Sequence, residues 1–200
     1  MAERLYEGQT FTGLRLEDEH FDNMRFVDCV FQDCTFDSCV LTDCAFAACT
    51  WTGCRLVNLT SRRTQIRSLR FDVCDLVGIS AADWLPASRY MPPLDSLHGC
   101  RLKYTTFHRM ALPSFSFCGS DLADCLFSGC DLSGSSFKDC ALHRTEFAEC
   151  DLRRADFRGA AGYVVDMPTC KVAESRFSFP EAVRLLASAG VKVEFDASGE

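Results

Sequence analysis

Residues 26–56 read FVDCVFQDCTFDSCVLTDCAFAACTWTGCRL. A large apolar side chain returns at every fifth position: Phe26, Phe31, Phe36, Leu41, Phe46, Trp51 and Leu56. A cysteine stands two places before each centre from Phe31 onward, at Cys29, Cys34, Cys39, Cys44, Cys49 and Cys54. Neither ordinary element can use this period. Five steps along an α-helix overshoot a full turn by about 140°, so the stripe would wander around the axis. On a flat strand an odd step sends successive centres to opposite faces. The period works if each unit is a short extended edge followed by a corner. Positions i−2 and i of each edge then point the same way. That side is the interior of a coil, and coils stack as parallel strands about 4.8 Å apart into a solenoid.

The pattern runs outward in both directions. It reaches back through Phe21, Leu16 and Phe11 and forward through Ile66, Phe71 and Leu76, failing only at Ser61. A second run starts at Leu102 and alternates Leu with Phe through Phe107, Leu112, Phe117, Leu122, Phe127, Leu132, Phe137, Leu142, Phe147, Leu152 and Phe157. It loosens at Gly162 and recovers at Met167, Val172 and Phe177. Of the 14 Cys, all but Cys118 occupy the slot two before a centre. Met24, Leu59, Leu69, Thr105, Ser120, Ser135 and Ala155 fill the same slot elsewhere, so it accepts small or apolar side chains.

Composition bounds the function. The chain has 200 residues, 48% apolar and 24% charged, which is the globular range. A net charge of −7 disfavours a broad nucleic-acid-binding surface. No apolar run approaches the roughly 18 residues of a membrane span. The first residues, Met1 to Glu7, lack the apolar core of a signal peptide. The expectation is a cytoplasmic protein with reduced thiols. The cysteine spacing contains no CxxC pair, and His20, His98, His108 and His143 are scattered. No metal, no cofactor and no enzymatic activity are expected. The buried thiols read as small hydrophobes, and Cys118 as the reactive one.

Leu76 and Leu102 stand five units plus one position apart, so a register slip is expected between them. The stretch holds Pro86, Pro92 and Pro93, which lack ladder donors. The organisation expected is a first repeat run over 9–81, a loop over 82–96, a second run over 97–179 and a C-terminal segment over 180–200. Pro180 suits a first helical position and Gly190 a C′ position, with Val191–Phe195 alternating like a strand. The helix would cap the open end of the coil.

Units such as Asp33-Cys34-Thr35-Phe36-Asp37, Asp43-Cys44-Ala45-Phe46-Ala47 and Ala155-Asp156-Phe157-Arg158-Gly159 resemble the pentapeptide repeat, over roughly residues 9–179. The resemblance implies an all-β fold, a right-handed quadrilateral parallel β-helix with four units per coil. Phe117, Phe137, Phe157 and Phe177 would then stack in one ladder, Phe107, Phe127 and Phe147 in another, and Leu112, Leu132 and Leu152 in a third. Phe177-Ser178-Phe179-Pro180-Glu181-Ala182 and Leu185-Leu186 resemble the C-terminal segment of the albicidin- and quinolone-resistance pentapeptide proteins. That likeness implies a homodimer through the C-terminus, here Phe179, Leu185, Leu186, Val193 and Phe195. It also implies binding to DNA gyrase, and in some members topoisomerase IV, as a partial DNA mimic that counters a topoisomerase-targeting antibacterial. A scaffold for another cytosolic protein is the competing expectation.

Candidate contact residues follow. The loop carries Trp84, Arg89, Tyr90 and Met91, types enriched at interfaces. Asp28, Asp33 and Asp43, two places after a centre, and Asp121, Asp131, Asp151 and Asp156, one place before, are the outward acids able to form acidic faces. A duplex of about 36 Å would carry roughly 21 charges, about three times this chain's net −7. Residues 55–70 reverse the sign locally, with Arg55, Arg62, Arg63, Arg67 and Arg70 and no acid. That stretch reads as a solvated face, or as a contact for an acidic partner or nucleic acid.

Overall fold

The computed structural model describes residues 4–80, 84–86 and 92–192. It is a parallel β-solenoid of about eight turns with a single short helix. Four faces share the same core. Face A stacks Arg4–Glu7, Met24–Val27, Ala45–Ala47, Thr64–Arg67 and Trp84–Pro86. Face B stacks Thr10–Thr12, Val30–Gln32, Thr50–Thr52, Leu69–Asp72 and Leu94–His98. Face C stacks Arg15–Glu17, Thr35–Asp37, Arg55–Val57, Asp75–Val77, Arg101–Lys103 and Asp121–Ala123, and continues into Ala141–Ala148. Face D stacks His20–Asp22, Val40–Thr42 and Thr60–Arg62, and resumes with Thr106–His108 and Leu126–Ser128.

Every ladder is parallel and centres pair with centres: Phe11 with Phe31, Phe31 with Trp51, Phe26 with Phe46. The aromatic ladders expected from the four-unit reading are present. Phe117 and Phe137 stack with centroids 4.7 Å apart, Phe137 and Phe157 at 4.8 Å, and Phe107 and Phe127 at 4.5 Å. Adjacent ladders meet edge-on, as Phe127 and Phe137 do at 83°. Stacking within a ladder and T-shaped contact between ladders are the two favoured geometries for aromatic pairs.

Two features of the sequence acquire a physical cause. The residue two after each centre turns the corner with φ near +50°, as at Asp18, Asn23, Asp28, Asp33 and Asp43, or is glycine, as at Gly8 and Gly53. Asp, Asn and Gly tolerate this left-handed conformation best. The cysteine slot also does more than fill space. Cys34 Sγ donates to the Phe11 carbonyl of the coil below at 3.4 Å, Cys54 to Phe31 at 3.3 Å and Cys74 to Trp51 at 3.3 Å. Where Cys is replaced, Ser135 Oγ donates to Leu112 O at 2.7 Å and Thr105 Oγ1 to Leu76 O at 3.2 Å. Where the slot holds Cys, Ser135 or Thr105, its donor satisfies a carbonyl of the coil below, whereas Met24, Leu59, Leu69 and Ala155 only fill it. Burial pushes the Cys49 thiol up to about 11 and those of Cys125 and Cys140 up to about 12.

The expected one-residue register slip between the two runs occurs on face B, where Leu69 pairs with Leu94 but Arg70 with Ser96. Leu76 pairs with Leu102 and Asp75 with Arg101, so this coil is longer than its neighbours and the same faces resume above it. The expected loop over 82–96 is narrower than the sequence suggested. Trp84–Pro86 pairs with Thr64–Ile66 on face A, and Leu94–His98 pairs with Leu69–Asp72 on face B. At the corner between these faces Ser68 N donates to Pro92 O at 2.9 Å. A bulge between Leu69 and Arg70 follows, which turns Leu94 into the core and leaves Asp95 outward to pair with Arg70 at 2.7 Å.

The C-terminal helix spans Val183–Ser188, shorter than the expected stretch from Pro180. Leu185 packs on the core, and the Glu181 carboxylate accepts from Gly162 N at 3.2 Å. Gly190 takes φ +79° as a C′ residue should.

Candidate partner-binding surface

The outward side chains of a solenoid are read by face and corner. Of the expected acids, Asp28 stands at the corner between faces A and B, Asp33 at the corner between B and C, and Asp43 at the corner between D and A. Asp121 lies on face C beside Arg101, while Asp131 and Asp151 stack one coil apart on face A. Only that last pair is brought together. At the corners, the need for positive φ explains the aspartates without any partner.

Three of these seven acids, Asp43, Asp151 and Asp156, are neutralised locally. Asp43 takes a bidentate pair from Arg63, Nε at 2.6 Å and Nη2 at 2.5 Å, and Arg63 lies one coil above it. Asp151 pairs with Arg153 and Asp156 with Arg158, each through two nitrogens. Asp131 accepts from Ser133 N at 3.0 Å and Ser133 Oγ at 2.7 Å. Asp124, which the sequence reading passed over, pairs with Arg144 one coil above. The guanidinium beside each carboxyl holds Asp43, Asp124 and Asp151 below the usual carboxylate range and brings Asp156 down to about 2. Arg63 and Arg144 stand 20 residues, one coil, from their acids, while Arg153 and Arg158 reach acids two residues back in the same unit.

The arginine-rich stretch 55–70 does not form one patch. The coil distributes Arg55 to face C, Arg62 to face D, Arg63 to the corner between D and A, Arg67 to face A and Arg70 to face B. Arg55 reaches Asp75 at 3.6 Å. On face A a depression of about 240 Å³ lies over Ala45 and Ala47 and is bounded by Arg25, Gln65 and Arg67. A second one of about 230 Å³ shares Arg25, Ala45 and Gln65 and extends to the Asp43–Arg63 pair.

The remaining expected contacts divide in two. Arg89, Tyr90, Met91, the side chain of Trp84, Val193 and Phe195 lie outside the described residues. At the C-terminal end, Phe179 is 77% exposed and Leu186 44%, whereas Leu185 is half-buried against the core. Cys118 is exposed, 3.0 Å from Ser136 Oγ. Among the described residues no three His, Cys, Asp or Glu side chains are grouped to hold a metal ion, and no helix is long and apolar enough to cross a membrane.

A family model described as a pentapeptide repeat region matches residues 97–177. Residues 97–177 match the pentapeptide repeat. The chain's solenoid is similar to HetL, a pentapeptide repeat protein involved in heterocyst differentiation regulation from the cyanobacterium Nostoc sp. strain PCC 7120. That likeness has a TM-score of 0.64 at 12% identity, covering 87% of this chain and 85% of HetL. Full-length QnrB1, a plasmid-mediated fluoroquinolone resistance protein, matches with TM-score 0.39 and 16% identity over 94% of this chain and 100% of QnrB1. No curated protein matches the sequence. At 12% identity the likeness to HetL shows the fold and nothing finer.

Proposed function

We propose that this protein is a non-catalytic binding rod that engages DNA gyrase and protects it from a topoisomerase-targeting antibacterial. The supporting observation is the uninterrupted rod. From Arg15–Glu17 up to Ala161–Val165, face C continues through every coil, including the enlarged one. Its seven steps of about 4.8 Å span about 34 Å, a stiff length suited to a groove made for duplex. The acid–arginine pairs limit the mimicry to shape. A duplex of that length carries about 20 charges, whereas the net charge here is −7. Gyrase would therefore recognise the rod's outline and particular side chains. Two copies would join through Phe179 and Leu186 at the helical end; a monomer by light scattering at micromolar concentration removes that part.

The test is a supercoiling assay with purified gyrase and a gyrase poison. Restored supercoiling on adding this protein is expected. No rescue and no gyrase binding would leave the second reading, a scaffold for another protein, which the local neutralisation of Asp43, Asp151 and Asp156 favours.

A further inference from the structure

Face C carries a ladder of alternating charge. Going up the rod, Arg55, Asp75, Arg101 and Asp121 hold equivalent positions on four consecutive strands. Asp75 accepts from Arg101 at 2.7 Å and lies 3.6 Å from Arg55, yet both arginine side chains are more than half exposed. The column beside this ladder reads Val57, Val77, Lys103 and Ala123. Two apolar knobs flank these strands. Val73, 62% exposed, holds the corner before Asp75, and Tyr104, 57% exposed, the corner after Lys103. They take φ of +51° and +54°, where most corners hold Asp, Asn, Ser or Gly. A β-branched or bulky side chain is costly in that conformation, so local backbone preference accounts for neither. Glycines stand next to them in their own columns, Gly53 below and Gly99 above Val73, and Gly78 below Tyr104.

We propose that face C receives a second copy of this chain, side by side and antiparallel. The pattern is its own complement when turned over. A two-fold axis running across the face between the Asp75 and Arg101 strands sets Arg55 against the partner's Asp121 and Asp75 against the partner's Arg101. The same rotation sets Val73 against the partner's Gly99 and Tyr104 against the partner's Gly78, each knob facing a position without a side chain. Val57 falls on the partner's Ala123. The axis lies at the middle of face C, with four strands below it and four above, so the two rods overlap along their whole length. Such self-complementarity is what an isologous contact requires. The charges set the register, and the knobs and valines supply the apolar contact. The match ends one coil further out, where Asp33 faces the partner's Asp139. Four strands by one face cover about 19 Å by about 10 Å. With its corners this is below the roughly 800 Å² per partner of a standard interface, so the pairing is transient and concentration-dependent. It is separate from the helical end, and it stands with or without gyrase.

The test is sedimentation velocity with small-angle X-ray scattering on the full chain, from about 10 μM to about 1 mM, the range of weak association. The same runs are made on Leu186→Asp, which removes pairing at the helical end. In both, a reversible dimer no longer than one rod is expected. Arg101→Asp with Asp121→Arg keeps the net charge but sets like charges against each other at all four rungs, and it should weaken association at least tenfold. Asp75→Arg with Arg101→Asp also keeps the net charge and leaves opposite charges facing at every rung, so it should associate like the wild type. Val73→Asp and Tyr104→Asp should each weaken pairing at least tenfold. Circular dichroism verifies that each variant is folded. A Leu186→Asp protein that stays monomeric throughout, a pair twice the length of the rod, or equal effects of the two charge exchanges would each overturn the proposal. The expected side-by-side dimer beside failed gyrase rescue would remove the gyrase reading alone. Gyrase rescue by a protein that never pairs through face C would remove this one alone.

Discussion

Leu102 pairs with Leu76 across an enlarged coil, and the coils below and above are joined in the same register. On face A the ladder holds through Trp84–Pro86, and on face B it holds from Pro92 and Pro93, whose carbonyls accept from Ser68 N and Leu69 N. Replacing residues 87–92 with a short Gly-Ser link should preserve the β-sheet circular dichroism and the cooperative unfolding. If the insertion contacts gyrase, rescue from a poison should fall tenfold or more, equivalent to about 1.4 kcal/mol. Full rescue by the folded, shortened protein would leave the rod surface as the active part.

Phe137 is fully buried between Phe117 and Phe157. Phe137→Ala should cost about 3–5 kcal/mol through lost burial and the cavity left in the ladder. Cys130→Ala should cost much less, since it removes one sulfur and its contact with the Phe107 carbonyl. Denaturant unfolding measures both, and a Phe137→Ala loss below about 1 kcal/mol would contradict the ladder.

Ser61 holds a position where the other coils place Phe or Leu, and an apolar cavity of about 30 Å³ lies nearby among Leu41, Leu56, Leu59, Ile66 and Trp51. Trp51 Nε1 is buried without a hydrogen-bond partner among the described residues. Ser61→Leu should fill this space and, less the interaction that the buried Ser61 already makes, gain at most about 1 kcal/mol of stability. A loss of comparable size in thermal unfolding would show that the coil has already closed around the serine.

Acid should weaken the rod in a defined window. Arg158 holds Asp156 down at about 2, and Arg63, Arg144 and Arg153 lower Asp43, Asp124 and Asp151. A carboxylate whose folded pKa is depressed stabilises above its unfolded value of about 3.9 and ceases to do so as pH falls through the folded value. The melting temperature should hold steady from about pH 7 to 5 and drop between about 4 and 2, and Asp156→Asn should flatten part of that drop. An unchanged slope in the variant would show that the Asp156 pair contributes nothing.

The period of five, the two-place offset of the cysteines and the alternation of Leu with Phe were enough to establish a coil, its inward face and the residues that stack. These are local properties: each unit must bury the same two positions whatever surrounds it. The corners were legible as outward acids but not as backbone necessities, because φ near +50° at Asp28 or Asp33 is a property of the turn. Which charges meet was legible only in part. Asp43 meets Arg63 across an ordinary coil, Asp75 meets Arg101 across the enlarged one, and Arg70 meets Asp95 beside the bulge. Those pairings depend on coil length, on where the extra residues are stored and on the bulge that turns Asp95 outward. The sequence alone determined what the rod is made of. The tertiary structure decided what its surface offers, since the stacking of coils divides one arginine-rich stretch among four faces and leaves Arg67 across a floor of alanines from Arg25.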